Sequence, residues 1–148
     1  MSILAILSGG IVVWFMGYQR QAELDSTSKM IVDTLRDAQS RSIGGKDFKM
    51  WGVCFDAPGG RFILFRDDGA ADCFSEAVKE ENYLSSFVKI GMLCPITGVC
   101  LNGGGNEIIF NNLGGGTAQY GIIRIEQSDD SAGFKDIIVT EIGKIDRQ

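Results

Sequence analysis

The first eighteen residues, "MSILAILSGGIVVWFMGY", carry no charged side chain. A run of that length reaches the roughly 17–25 residues that a helix needs to cross the apolar core of a bilayer. A cleaved secretion signal would open on Lys or Arg and close its apolar run on a small-x-small site. Here Met1-Ser2 is uncharged and "MGYQRQAE" offers no such site. Trp14, Phe15 and Tyr18 gather just before Arg20, where amphipathic rings settle at a membrane interface. The run reads as a retained single-pass anchor, with a buried helix of a soluble core as the competing reading.

The helical pattern continues beyond this run. Leu24, Thr27, Ile31, Leu35, Ala38 and Ser42 recur at spacings of three and four, which places them on one stripe. Glu23, Asp25, Lys29, Asp33, Arg36, Asp37 and Arg41 fall between them, as a solvated face requires. One helix is therefore expected from about Ile3 to Ile43, roughly 60 Å long at about 1.5 Å per residue. That exceeds what a small domain needs for its own core. Leu24, Ile31, Leu35 and Ala38 are expected to pack it on the rest of the domain, and Gly44-Gly45 to end it.

After Gly45 the period changes to alternation. Trp51, Val53 and Phe55 alternate with Met50, Gly52 and Cys54, "DAPGG" turns the chain, and Arg61 to Arg66 follows as a second apolar run. This predicts a hairpin with a loop of about five residues. Further strands are expected in "SSFVKIGML", "EIIFN", "QYGIIRIEQ" and "FKDIIVTEI", while "CFSEAVKEENY" reads as a short helix or a solvated loop. About six strands result, joined by connections rich in the chain's 20 glycines. With 148 residues and 45% hydrophobic content there is material for one core. The expected class is α+β: a long N-terminal helix, membrane-spanning in its first half and amphipathic in its second, packed on an antiparallel sheet domain. The expected division is 1–20 as a hydrophobic segment and 21–148 as a soluble domain, comprising helix 21–43 and β-domain 46–148.

Catalysis has little to stand on. The chain has no His, the commonest general base and metal ligand. Ser75, Glu76, Lys79 and Glu81 are close in sequence but match no catalytic motif, and read as a charged face. "NGGGN" and "LGGGTA" lack the Gly-Lys-Ser or Gly-Lys-Thr ending of a phosphate loop. Asp67, Asp68 and Asp72 lack the spacing of an EF-hand and read as an acidic turn. Lys135, Lys144 and Arg147 are interleaved with Asp136, Glu141 and Asp146, which argues against a surface that tracks nucleic acid phosphates. No enzymatic activity, cofactor, metal site or small-molecule substrate is expected.

The chain resembles type IV pilin-like proteins, and more narrowly the H-type minor pseudopilins of type II secretion systems and the T-type minor fimbrial pilins. "ILAILSGGIVV" is similar to the second half of the pilin N-terminal segment. "MIVDTLRDAQSRSI" is similar to the pattern that closes the pilin helix before the first strand. "EIIFNNLGGGTA" and "KDIIVTEIGKIDR" resemble the last strands of the family, while Asp67 to Asn106 lies outside the resemblance. The resemblance implies a structural subunit held in the inner membrane with its C-terminal domain exported, then incorporated into a periplasmic or cell-surface filament. Its implied partners are other pilins or pseudopilins, the inner-membrane assembly platform and the lipid bilayer. Ile3, Leu4, Ile6, Leu7, Ile11, Val12 and Phe15 would face lipid before assembly and neighbouring helices after it. Pilin precursors also carry a basic leader ending in Gly, then Phe-Thr-Leu and a Glu at the fifth mature position. That motif belongs upstream of Met1-Ser2, so an internal start is expected in preference to a diverged anchor.

Cys54, Cys73, Cys94 and Cys100 allow three disulfide connectivities, and an exported domain would meet an oxidising compartment. The expected pairs are Cys94 with Cys100, closing "CPITGVC", and Cys54 with Cys73. Zinc binding and buried free thiols are the alternatives. Two other functions remain open: a single-pass anchored β-domain acting as a binding module, and a pilin-like DNA-uptake factor.

Overall fold

The computed structural model describes residues 2–70, 72–91, 99–101, 105–129 and 133–148, with only the backbone described at 2–16, 46 and 99–101. Helix α1 spans Ser2–Ile43 without interruption, and both prolines of the chain, Pro58 and Pro95, lie outside it. From Leu24 onward one face is covered. Leu24, Ile31, Leu35 and Ala38 have no exposed surface, and Thr27, Ser28, Val32 and Ser42 are buried beside them. The two buried serine hydroxyls of the helix have partners, as burial demands: Ser28 Oγ donates to the Asp25 carbonyl at 2.8 Å, and Ser42 Oγ accepts from the Trp51 amide at 2.8 Å. The helix stops where the Gly44 amide donates to the Ser40 carbonyl and Gly45 adopts a φ of +60°. A 3-10 turn over Lys46–Phe48 leads into the first strand.

Nine strands follow among the described residues: β1 Met50–Asp56, β2 Arg61–Asp67, β3 Lys79–Tyr83, β4 Val88–Ile90, β5 Val99–Leu101, β6 Glu107–Phe110, β7 Gly121–Gln127, β8 Phe134–Val139 and β9 Ile145–Arg147. They form two antiparallel sheets. One has the order β3-β2-β1-β6; the other runs β4-β7-β8-β9, with β5 also paired to β7. Helix α1 lies against both, and the shared core joins Leu24, Ile31 and Leu35 to Trp51, Val53, Phe55, Phe62, Phe110, Ile123 and Ile137. The Phe110–Thr117 bridge and the Thr117 amide, which donates to the Glu141 carbonyl, connect the two sheets.

The sequence reading undercounts the strands by missing three short ones. β3 lies in "CFSEAVKEENY" and is neither helix nor loop. Its side chains are almost all exposed at a sheet edge, so no apolar alternation marks it, and Lys79, Glu80 and Glu81 supply the charge that guards such edges. β5 and β9 have only three residues each. β9 follows a tight reversal in which the Gly143 amide donates to the Thr140 carbonyl. The β1–β2 connection has four residues, Ala57 to Gly60, because Asp56 still pairs with Arg61. β1 is also buried on both faces. Trp51, Val53 and Phe55 enter the main core, whereas Cys54 joins Ile63, Phe65 and Cys73 in a second cluster beside Phe74 and Ile109.

Candidate functional site

The surface of α1 divides into a part covered by the chain's own sheets and a part left open. Coverage begins at Leu24; just before it, Tyr18 is 68% exposed. A groove of about 880 Å³ runs between this part of α1 and the segment after β3, with Tyr18, Met30, Tyr83, Leu84 and Phe87 among its walls. Arg20 pairs with Asp129 at 3.2 Å close to the same stretch. Ile3, Leu4, Ile6, Leu7, Ile11, Val12 and Phe15 occupy the first half of α1, where the backbone is helical and the side chains lie outside the described residues. Among the described residues, no helix is long and apolar enough to cross a membrane.

At its other end α1 is clasped by two loops. Gln39 Nε2 donates to the Gly115 carbonyl at 2.7 Å and to the Gly143 carbonyl at 2.8 Å. Both glycines are in the left-handed region, at φ +65° and +83°. A side chain at Gly115 would meet Ile43 Cδ1 at 2.6 Å, and one at Gly143 would strike the Gly115 carbonyl. Gln39 sits beside the stripe rather than on it, so helical periodicity does not single it out. Its only signal in the sequence is a pair of distant Gly loops. Farther back on the helix, Arg147 of β9 pairs with Asp25 at 3.3 Å and donates to Ser28 Oγ at 3.1 Å.

The residues once open to catalytic or metal readings have separate structural tasks. Glu76 is buried and accepts from the Asp68 and Ala70 amides, each at 3.1 Å. Ser75 Oγ donates to Asp72, whose carboxylate also receives the Phe74 amide. Lys79 donates to the Phe74 carbonyl and pairs with Glu81. Asp68 is held by Arg66 and Lys49. No three or more His, Cys, Asp or Glu side chains among the described residues are grouped to hold a metal ion. Lys144 pairs with Asp146 and Arg147 with Asp25, so two of the basic residues near the C-terminus are locally balanced.

Cys54 and Cys73 form a disulfide, with Cα atoms 6.1 Å apart. The bond fastens the loop after β2 over the outer face of the first sheet, where both sulfurs are buried. The Cys94–Cys100 pair falls outside the described side chains. Among the carboxylates with displaced affinities for protons, Asp56 and Glu107 are shifted in opposite directions. Asp56 is held below the usual range by its hydrogen bond from Arg61 and a second from the Gly59 amide. Burial pushes Glu107 on β6 upward, and nearby Asp67, Glu76 and Asp72 push it the same way.

The same assembly of helix and sheets is found in solved structures. The type IV minor pilin FimU of Pseudomonas aeruginosa superposes with a TM-score of 0.63, over 88% of this chain and 92% of its own, at 12% identity. The minor pseudopilin EpsH from the type 2 secretion system of Vibrio cholerae gives 0.59, over 85% of this chain and 96% of its own, at 11% identity. The chain has a type IV pilin-like fold. A second crystal form of FimU gives 0.59, over 84% of this chain and 92% of its own, at 11% identity. No protein-family model matches the sequence, and no curated protein matches it. At 11–12% identity the likeness is one of fold.

Proposed function

We propose that this chain is a structural subunit, a minor pilin or pseudopilin. It waits in the inner membrane on the first half of α1, with residues 21–148 exported, and then enters a type IV pilus or type II secretion pseudopilus. The observation that carries this reading is the division of α1: its amphipathic half is covered by the chain's own sheets from Leu24 onward, whereas the uncharged run to Tyr18 precedes that covered stretch. An apolar helical surface of this kind suits lipid before assembly and neighbouring helices afterwards. Gly9-Gly10 within the run permits close helix approach or a local bend. Its partners in this reading are other pilins or pseudopilins and the assembly platform in the membrane.

Membrane fractionation and crosslinking in cells that build the filament test the proposal together. The full chain should sediment with the inner membrane, and cysteines introduced at Val12 and Phe15 should crosslink to a pilin partner. Ile11→Asp should abolish both results while the β-domain melts at its normal temperature. Membrane retention without a crosslink to any candidate subunit would leave an anchored binding domain and overturn the filament reading.

A further inference from the structure

The exposed aromatic residues next to the uncharged run are not confined to α1. Tyr18 closes that run. Tyr83, at the end of β3, and Phe87 beyond it wall the same groove and are 66% and 46% exposed. Backbone hydrogen bonds tie their segment to loops of both sheets: the Leu84 amide donates to the Gly60 carbonyl at 2.8 Å, and the Phe87 carbonyl accepts from the Ser128 amide at 2.9 Å. Tyr83 Oη donates to Glu81 at 2.9 Å, which steadies its ring. The fold therefore holds three aromatic side chains in water beside the point where the uncharged run ends, and rings with an apolar body and a polar tip suit the boundary between lipid and water.

The charges in the groove have an order that matches a lipid. Glu23 lines it, partly buried, and makes no ion pair or hydrogen bond among the described residues. Arg20 lines it nearer the uncharged run, with Nη2 on Asp129 at 3.2 Å, and a guanidinium has further N–H groups to donate. On a helix rising from the membrane, Tyr18 marks the edge of the apolar core, and Glu23 stands about 7–8 Å farther out at the helical rise. The head-group layer on each side of a bilayer is roughly 5–8 Å deep, so Arg20 and Glu23 fall within it, cation inside and anion outside. A zwitterionic phospholipid has the complementary order, its phosphate joined to the glycerol and its ammonium at the far end of the head. We propose that the membrane-proximal end of the groove binds the head group of a zwitterionic phospholipid while the subunit waits in the membrane. Arg20 takes the phosphate, and Glu23, Tyr18 and Tyr83 surround the ammonium, which gains from a carboxylate and from ring faces alike. The inference rests on the anchored reading and adds a lipid ligand to it.

The full chain in liposomes of equal parts phosphatidylethanolamine and phosphatidylglycerol provides the test, since only the first head group carries an ammonium. Photoreactive benzoylphenylalanine replaces Phe87 or, as a control beside the Gly44 end of α1, Leu113, and the adducts formed under ultraviolet light are identified by mass spectrometry. Position 87 should give at least tenfold more lipid adduct than position 113, with phosphatidylethanolamine favoured at least threefold. Glu23→Gln should bring that preference to parity and Glu23→Lys should reverse it, with the melting temperature unchanged. Lipid adducts at position 87 no more frequent than at 113, adducts to a second copy of the chain in their place, or a preference that ignores both substitutions would overturn the head-group site. So would a protein labelled from position 87 in place of lipid in cells whose filament assembly is blocked. Flotation with the liposomes reads the anchor separately. A chain that floats without the adduct removes this inference and leaves the filament reading standing, whereas a chain that does not float removes both.

Discussion

Gln39 Nε2 and the Gly143 carbonyl oxygen lie 2.8 Å apart, joining residues 104 positions apart in the chain. The same nitrogen serves the Gly115 carbonyl, so one amide spends both its hydrogens on two loops. Gln39→Ala leaves two partly buried carbonyls without this donor and should cost about 1–3 kcal/mol, read as a lower urea midpoint with an unchanged slope. Gln39→Glu should be the worse substitution, because a carboxylate would face two acceptors.

Leu35 has no exposed surface and packs into the main core. Leu35→Ala should destabilise the protein by about 2–5 kcal/mol, and Leu35→Asp should prevent folding by burying an unpaired carboxylate. Tyr18→Ala, on the open part of the helix, should stay within about 0.5 kcal/mol of the parent. Denaturant melts of the three variants check the contrast; similar losses at Leu35 and Tyr18 would mean that α1 is not divided as described.

The Cys54–Cys73 bond joins residues 19 positions apart. A loop of that size contributes roughly 3 kcal/mol through the entropy it removes from the unfolded chain. Replacing both cysteines with Ala should lower stability by about that amount. With both sulfurs buried, the native bond should resist reductant until denaturant is added, as thiol alkylation followed by mass spectrometry would record.

Asp56 and Glu107 should give opposite responses to pH. Asp56 has a folded pKa below its unfolded one, so its stabilising share is complete above the unfolded value near about 3.9 and is lost as pH falls through the folded value. Asp56→Asn should therefore destabilise at pH 7, by a margin that shrinks in acid. Glu107 is raised, so its ionised form subtracts stability at neutral pH, and the loss disappears as pH falls through the folded and then the unfolded value. Glu107→Gln should raise the melting temperature at pH 7 and lose that advantage at low pH. Melting curves across this range check both signs.

The α+β class, the single long helix and its stop at Gly44-Gly45 are legible in the sequence because each depends on local geometry. A spacing of three and four marks a helical face, alternation marks β1, an apolar run marks β2, and paired glycines mark a stop. Strands β3 and β9 escape such a reading for the same reason. One is a charged edge and the other a three-residue closure, and neither needs an apolar pattern to pair.

By itself the sequence determined where the chain is helical, where it alternates, and that its first eighteen residues carry no charge. The tertiary structure selected the expected Cys54–Cys73 pair from three open connectivities, and it alone decided that β1 is buried on both faces and that Gln39 clasps Gly115 and Gly143. It also decided that Leu113 is driven to a positive φ with its side chain in water. Periodicity records how each residue faces its own helix or strand. These contacts join residues 19 to 104 positions apart, and such encounters are set by how the packed sheets bring distant loops to the end of one helix.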